Sequence, residues 1–222
     1  MYKSDMKNKV ILSMCDLTGT WSKPYLDRGY TVLRVDIQRN ADQDLRLLEY
    51  GGKKGTSLGQ WAPGQIHGII AQPPCTDFTN AGARWWKAKG TEKLLFSLSL
   101  VDACMRAVAI YQPKWWVMEN PAGRLKRYLG RSKHSFHPWH YAGYREKEGD
   151  TVPKTDRYTK LTCLWGNFTM PERKALPPII GSTEMPAKGS SWIHRLGPSE
   201  ERANLRSMSP EGFSTAFCLA NP

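Results

Sequence analysis

Four short apolar runs in the first 121 residues each stop abruptly at a polar or proline-marked turn, and this punctuation limits the fold more than any other feature. Val10 to Met14 reads VILSM and gives way to CDLTGTWS. YTVLRVDI ends at Asp36, IHGIIA ends at Pro73 and Pro74, and KWWVMEN ends before Pro121. Such runs are strands of a buried sheet, because 4 to 8 apolar residues bounded by turn signals bury both faces. Between the first two, Ser22 is positioned to cap a helix whose first turn holds Pro24. Between the third and fourth, residues 91–112 place Leu94, Leu98, Val101, Met105 and Val108 on one helical face, and Pro113 ends that helix. Strands alternating with helices predict an α/β fold with a mostly parallel sheet. Ligands then collect at the carboxyl ends of the strands. Asp16, Asp36, Cys75 and Glu119 fall at those ends.

After about residue 131 the pattern weakens into basic, proline-rich stretches interrupted by one strand candidate, YTKLTCLWGNF, and by a last helix from about Ser209 to Ala220. The expected organisation is one domain over 1–222. Residues 10–130 form its core, 131–208 a basic loop-rich region, and 209–222 a helix returning to the core. Lys and Arg number 32 against 20 Asp and Glu, a formal charge of +12, which suits a polyanion such as nucleic acid. The five cysteines are scattered and form no C-x-x-C pair, which argues against a disulfide framework or a structural zinc site and for a reducing compartment. The polar start has no signal-peptide pattern. No apolar stretch is counted as approaching the roughly 18 residues of a membrane span.

Cys75 follows two prolines and so sits on fixed, non-helical backbone that presents its thiol at a strand end. Taken alone, a free cysteine is more often a small apolar filler. Its surroundings alter that. PPCTDFTNAG, residues 73–82, closely resembles the Pro-Cys-Gln-x-Phe-Ser-x-Ala-Gly segment of the cytosine-C5 DNA methyltransferases. MENP, residues 118–121, is similar to that family's Glu-Asn-Val, and SMCDLTGTWS resembles its glycine-rich first loop with one glycine missing. These pieces occur in the family's order, and SEERANLRSMSPEGF is similar to its late arginine-containing segment. Small phage or prophage methylases look most alike.

The resemblance implies a Rossmann-like methyltransferase fold that uses S-adenosylmethionine to methylate C5 of cytosine in DNA. Cys75 would be the nucleophile that adds at C6. Glu119 would contact N3, and Asn120 would shape the strand end. Arg157 or Lys160 would touch the base carbonyl or steady the thiolate. The resemblance places the cofactor against Asp16, Gly19, Trp21, Asp36, Ile37, Asp44 and Pro73. DNA backbone would meet Arg84, Lys87, Arg124, Lys126 and Arg127, which are set among aromatics in ARWWKAKG and GRLKRYLGR. His134, His137 and His140 are three apart, but Pro138 breaks any continuous helix, so no metal is expected. The expected partner is DNA, with no membrane and a monomeric chain, in the cytoplasm of a bacterial or phage-infected host. Little chain remains for a target-recognition domain, so recognition should be short or relaxed. The alternatives are C5 alkylation of RNA, of a nucleotide or with a modified cofactor, and a catalytically inactive phage protein that binds DNA.

Overall fold

In the computed structural model, residues 7–38, 44–49, 61–146, 155–179, 197, 199 and 202–222 are described. The strands are β1 (Val10–Met14), β2 (Thr31–Val35), β3 (Ile66–Ala71), β4 (Trp115–Pro121), β5 (His134–Phe136) and β6 (Thr162–Asn167). The helices are α1 (Lys23–Asp27), α2 (Trp86–Tyr111), α3 (Lys126–Leu129), α4 (Arg202–Ser207) and α5 (Glu211–Ala220). The strand order is β2-β1-β3-β4-β6-β5. β2, β1, β3 and β4 are parallel, whereas β6 runs antiparallel to both β4 and β5. This is the α/β fold with a mostly parallel sheet that the alternation predicts.

The chain winds from β1 outward to β2 and then crosses to β3 on the other side of β1. The carboxyl ends of β1 and β3 therefore flank a topological switch point, where open α/β sheets hold ligands. Both sheet faces are apolar. Leu12, Met14, Ile69, Ala71 and Met118 join Val101, Cys104 and Ala107 of α2. Ile11, Ile70, Val117 and Trp115 join Phe213, Ala216 and Phe217 of α5 on the opposite face. Burial on both sides explains why these strands read as continuous apolar runs with no polar alternation.

Helix α2 begins earlier than its periodicity suggested. A 3-10 turn, Asn80–Trp85, leads into it, and Gly90 at φ 75° breaks the helical path before the regular part begins. Leu94, Leu98, Met105 and Val108 do pack on the core, beside buried Val101. By length and composition alone, Asn80–Tyr111 would suffice to cross a membrane, a span the sequence reading did not count. Its inner face instead packs on the sheet through Val101, Ala103, Cys104, Ala107 and Tyr111.

Candidate active site

Two loops meet at the switch point. After β1, Cys15 takes a left-handed conformation at φ 55°, and its amide donates to the Val35 carbonyl at 2.8 Å. The loop after it is knitted by Asp16. The Ser13 and Ser22 hydroxyls each donate to Asp16 Oδ2 at 2.7 Å, and the Gly19 amide donates to Oδ1 at 2.7 Å. Asp16 is thus buried as the loop's internal brace, its carboxylate engaged by three donors of its own chain. Ser22 precedes α1 but makes no side-chain cap, because its hydroxyl is turned to Asp16. Gly19 lies at φ +71°, a left-handed conformation that favours glycine; a Cβ there would also meet the end of the Arg34 side chain, which can swing aside.

At the end of β2, the Gln38 amide donates to Asp36 Oδ1 at 2.9 Å, an Asx-type turn. Beside it Ile37 is 51% exposed, an apolar side chain the core does not use. Asp44 is turned to Arg46, whose amide and guanidinium both bond its carboxylate and hold it below the usual range. Trp21 does not face a ligand. It is wholly buried, edge-on to Phe213 and Phe217 at 5.3 and 5.4 Å, because α5 brings two aromatic rings to that point.

The second loop leaves β3 through Gln72, Pro73 and Pro74. The Cys75 carbonyl accepts the Phe78 and Thr79 amides, both at 2.9 Å, closing a turn directly after the thiol. Asn120, fully buried on β4, donates Nδ2 to the Pro73 carbonyl at 2.9 Å. The neighbouring strand is thereby pinned to the backbone two residues before Cys75. Opposite, Thr79 bridges Gly123, the Arg124 amide donates to the Phe78 carbonyl at 2.8 Å, and Arg124 Nε donates to the Asp77 carbonyl at 2.6 Å. The carboxylate of Asp77 is satisfied by Lys89 Nζ at 2.7 Å and the Ser97 hydroxyl at 2.8 Å.

Glu119 and Cys75 lie within electrostatic reach of each other across adjacent strand ends, with Lys160 reaching both. Burial pushes the Glu119 carboxyl up, and the Lys160 ammonium opposes it. Burial also pushes the Cys75 thiol up; Lys160 and then Arg206 pull it down, and the charge of Glu119 raises it. Lys160 owes its place to β6. Thr162 pairs with Pro121 and the Ala122 amide donates to the Leu161 carbonyl, so the residues before β6 arrive at the tip of β4. Lys160 Nζ then donates to the Arg206 carbonyl at 3.2 Å, and the Ser209 hydroxyl donates to Gln72 Oε1 at 2.6 Å, which closes the site from the α4 side.

The structure therefore brings Cys75, Glu119, Asn120 and Lys160 together. Arg157 is elsewhere: its Nε donates to the Pro177 carbonyl at 2.9 Å. Arg124, expected on DNA backbone, is turned inward, with its guanidinium 4.5 Å over the Trp86 ring. Arg84, Lys87, Lys126 and Arg127 are exposed. Two groups escaped the sequence reading. Arg206 lay within the late arginine-containing segment without an assigned role. Tyr158, buried beside the charges of Asp156 and Glu119, sits two residues before Lys160. Among the described residues no group of three or more His, Cys, Asp or Glu is placed to hold a metal. His140 stays neutral, pushed down to about 4 by burial and by Arg173.

Residues 52–138, which carry Cys75 and Glu119, match the family model of C-5 cytosine-specific DNA methylases. The match covers about two fifths of the chain. A probable DNA (cytosine-5)-methyltransferase of Frog virus 3 (isolate Goorha) is 26% identical over 192 residues, covering 81% of this chain and 82% of that relative. Among solved structures, a protein described as a candidate DNA modification methyltransferase encoded within an E. coli prophage shares 17% identity at a TM-score of 0.41. That comparison covers 71% of the present chain, which spans 46% of the other's length.

Proposed function

We propose that this protein is a cytosine-C5 DNA methyltransferase that transfers a methyl group to C5 of cytosine in DNA, with Cys75 as the covalent nucleophile. One observation carries the reading: a thiol and a carboxyl meet at adjacent strand tips with a shared cation, Lys160, on a braced backbone. The pyrimidine ring must leave the base stack to reach them, which costs a few kcal/mol in a duplex and less in a single strand. Cys75 adds as thiolate to C6, forming a C–S bond and moving electron density onto C5. Glu119, whose carboxyl burial pushes up, donates a hydrogen bond to N3 in its protonated form as negative charge develops there; help of this kind is worth about 10²–10⁴-fold. Lys160 stabilises the thiolate before attack, and its ammonium is held in place by the Arg206 carbonyl. Asn120 keeps the Pro73 backbone, and with it Cys75, at the correct height. When the C5 proton is lost to water, the C6–S bond breaks and Cys75 is regenerated.

S-adenosylmethionine fits the first loop, where it would supply an electrophilic methyl group. Gly19 allows close backbone approach, Asp36 stands at the strand end suited to ribose hydroxyls, and exposed Ile37 offers an apolar face to the adenine. Asp16 would act there by shaping the loop. Arg84, Lys87, Lys126 and Arg127 would contact phosphates, and the basic region over 131–208 would extend that contact.

The test is covalent capture on DNA containing 5-fluorocytosine, where fluorine replaces the proton that must leave and the adduct persists. Wild-type protein with S-adenosylmethionine should give a denaturation-resistant complex, and Cys75→Ser should give none. A Cys75→Ser protein that still methylates cytosine would remove the mechanism.

A further inference from the structure

We propose that Ser209 and Gln72 are positioning residues for the reaction: the hydrogen bond between them fastens a strap across the reaction centre and so fixes the backbone carbonyl that holds Lys160. The inference rests on the methylation reading above. The strap runs from the end of α4 to the start of α5, and it meets the sheet on both sides of Glu119. On one side the Arg206 carbonyl accepts Lys160 Nζ at 3.2 Å; on the other the Ser209 hydroxyl donates to Gln72 Oε1 at 2.6 Å. The strand order places β4 between β3 and β6, so a segment bonded to a residue after β3 and to a residue before β6 spans β4. Pairing of Ala71 with Met118 makes Gln72 and Glu119 the next residues out on neighbouring strands. Alternation puts both on the face of Ile70 and Val117, which is the face that α5 covers.

Each end of the strap suits its partner. A lysine ammonium on a four-carbon stem has many rotamers, and one bond to a fixed acceptor selects among them. Arg206 lies in the last turn of α4, and the last-turn carbonyls of a helix take side-chain donors, lysine among the best. That acceptor is only as steady as the end of α4. Ser209, three residues on, is buried and supplies the fastening. Its partner cannot drift, because the Gln72 amide donates to the Met14 carbonyl at 3.0 Å. Helix α5 begins without a side-chain cap and does not draw on the Ser209 hydroxyl. Its first turn is held by the Ser214 amide and hydroxyl on the Pro210 carbonyl, at 3.0 and 2.9 Å, and by the Gly212 amide on Asp156 Oδ2 at 2.7 Å. Other bonds thus keep α5 in place, and the Ser209 hydroxyl is directed to the residue beside Glu119.

The experiment measures the rate of covalent capture at Cys75 on duplex DNA containing 5-fluorocytosine, with S-adenosylmethionine present and rates normalised to the folded fraction. Ser209→Ala and Gln72→Met are each made in the parent chain and in a Lys160→Met chain. In the parent, either should slow capture about 3- to 10-fold, the worth of one hydrogen bond. In the Lys160→Met chain the same substitutions should change the rate by less than about twofold, because the group they position is gone. The Ser209→Ala pH–rate profile in the parent should move toward higher pH, since Lys160 and Arg206 both lower the Cys75 thiol against burial and Glu119, and both depend on the strap. Equal slowing in the two chains, no slowing in the parent, or a profile that stays in place overturns the inference while leaving methylation intact. Should Ser209→Ala not fold, Gln72→Met decides by the same comparisons. A wild-type protein that captures no DNA brings down the methylation reading and the strap's role with it.

Discussion

Gly123→Ala should slow covalent capture of cytosine about a hundredfold while leaving most of the fold in place. A Cβ at this position would lie 1.8 Å from the Phe78 carbonyl oxygen and 2.9 Å from the Thr79 Cα. The obstacle is backbone, which cannot rotate aside, so it must retreat by about 1.2 Å to reach even a 3.0 Å contact. That backbone is the turn whose amides bond the Cys75 carbonyl, so the thiol moves with it. Overpacking of this size costs about 1–3 kcal/mol of stability, which most domains survive. A misplacement of about 1 Å at the reacting atom costs on the order of 10²-fold in rate. Gly68→Ala is the matched comparison. Its Cβ would lie 2.1 Å from Trp115, a ring packed between Tyr25 and Phe217 on the sheet face away from the Cys75 loop. Gly68→Ala should therefore lower the melting temperature, yet capture at a normal rate per folded molecule. The assay is the rate of adduct formation on 5-fluorocytosine DNA, normalised to the folded fraction from circular dichroism. Gly123→Ala protein that captures at the wild-type rate would refute the claim that this bridge positions the thiol.

Lys160→Met should move the pH–rate profile for capture toward higher pH, because Lys160 lowers both Cys75 and Glu119 and its loss lets both rise. A profile that does not move would show that the ammonium does not govern the thiolate. The Asp156 carboxyl is pushed up to about 6 by burial, so the folded chain holds that proton more tightly than the unfolded chain does. Its contribution to stability is complete below about pH 4 and is lost as pH rises through 6, where a buried charge must form. Asp156→Asn should thus gain stability relative to the parent between pH 4 and pH 7, read from denaturant midpoints; a constant difference across that range counts against it. Replacing Lys126 and Arg127 together by alanine should reduce the slope of log affinity against log salt for duplex DNA by about two, if each neutralises one phosphate. An unchanged slope would remove α3 from the DNA-facing surface.

The first four strands and the regular part of α2 were legible because their signals are local. Burial on both faces forces unbroken apolar runs, and each run has to stop at a turn. The positions of the thiol and carboxyl were legible for a related reason: each stands at a strand tip flanked by residues that fix backbone shape, Pro73 and Pro74 before Cys75 and Pro121 after Glu119. Lateral order was not legible. Nothing in HSF, residues 134–136, announces a three-residue strand, and its pairing with β6 is fixed only by tertiary packing. Trp21 shows the same limit at the level of one side chain. A tryptophan after a glycine loop suits either a ligand face or a core, and the choice was made by Phe213 and Phe217 nearly 200 residues later. Arg157 and Lys160 also look equivalent as cations, and only the register of β6 against β4 separates them.

That backward-running β6 has a consequence for the segment it encloses. Because it enters the sheet against the grain, the chain that leaves the tip of β4 at Pro121 is returned to the same point at Thr162, and six ladder pairs fasten the return. The segment between them is built into the molecule at several points: Gly123 and Arg124 hold the Cys75 turn, and Phe136 and Tyr141 pack against Phe213 of α5. A substitution within this segment therefore reaches the Cys75 turn or the core behind the sheet, according to which of these residues it touches.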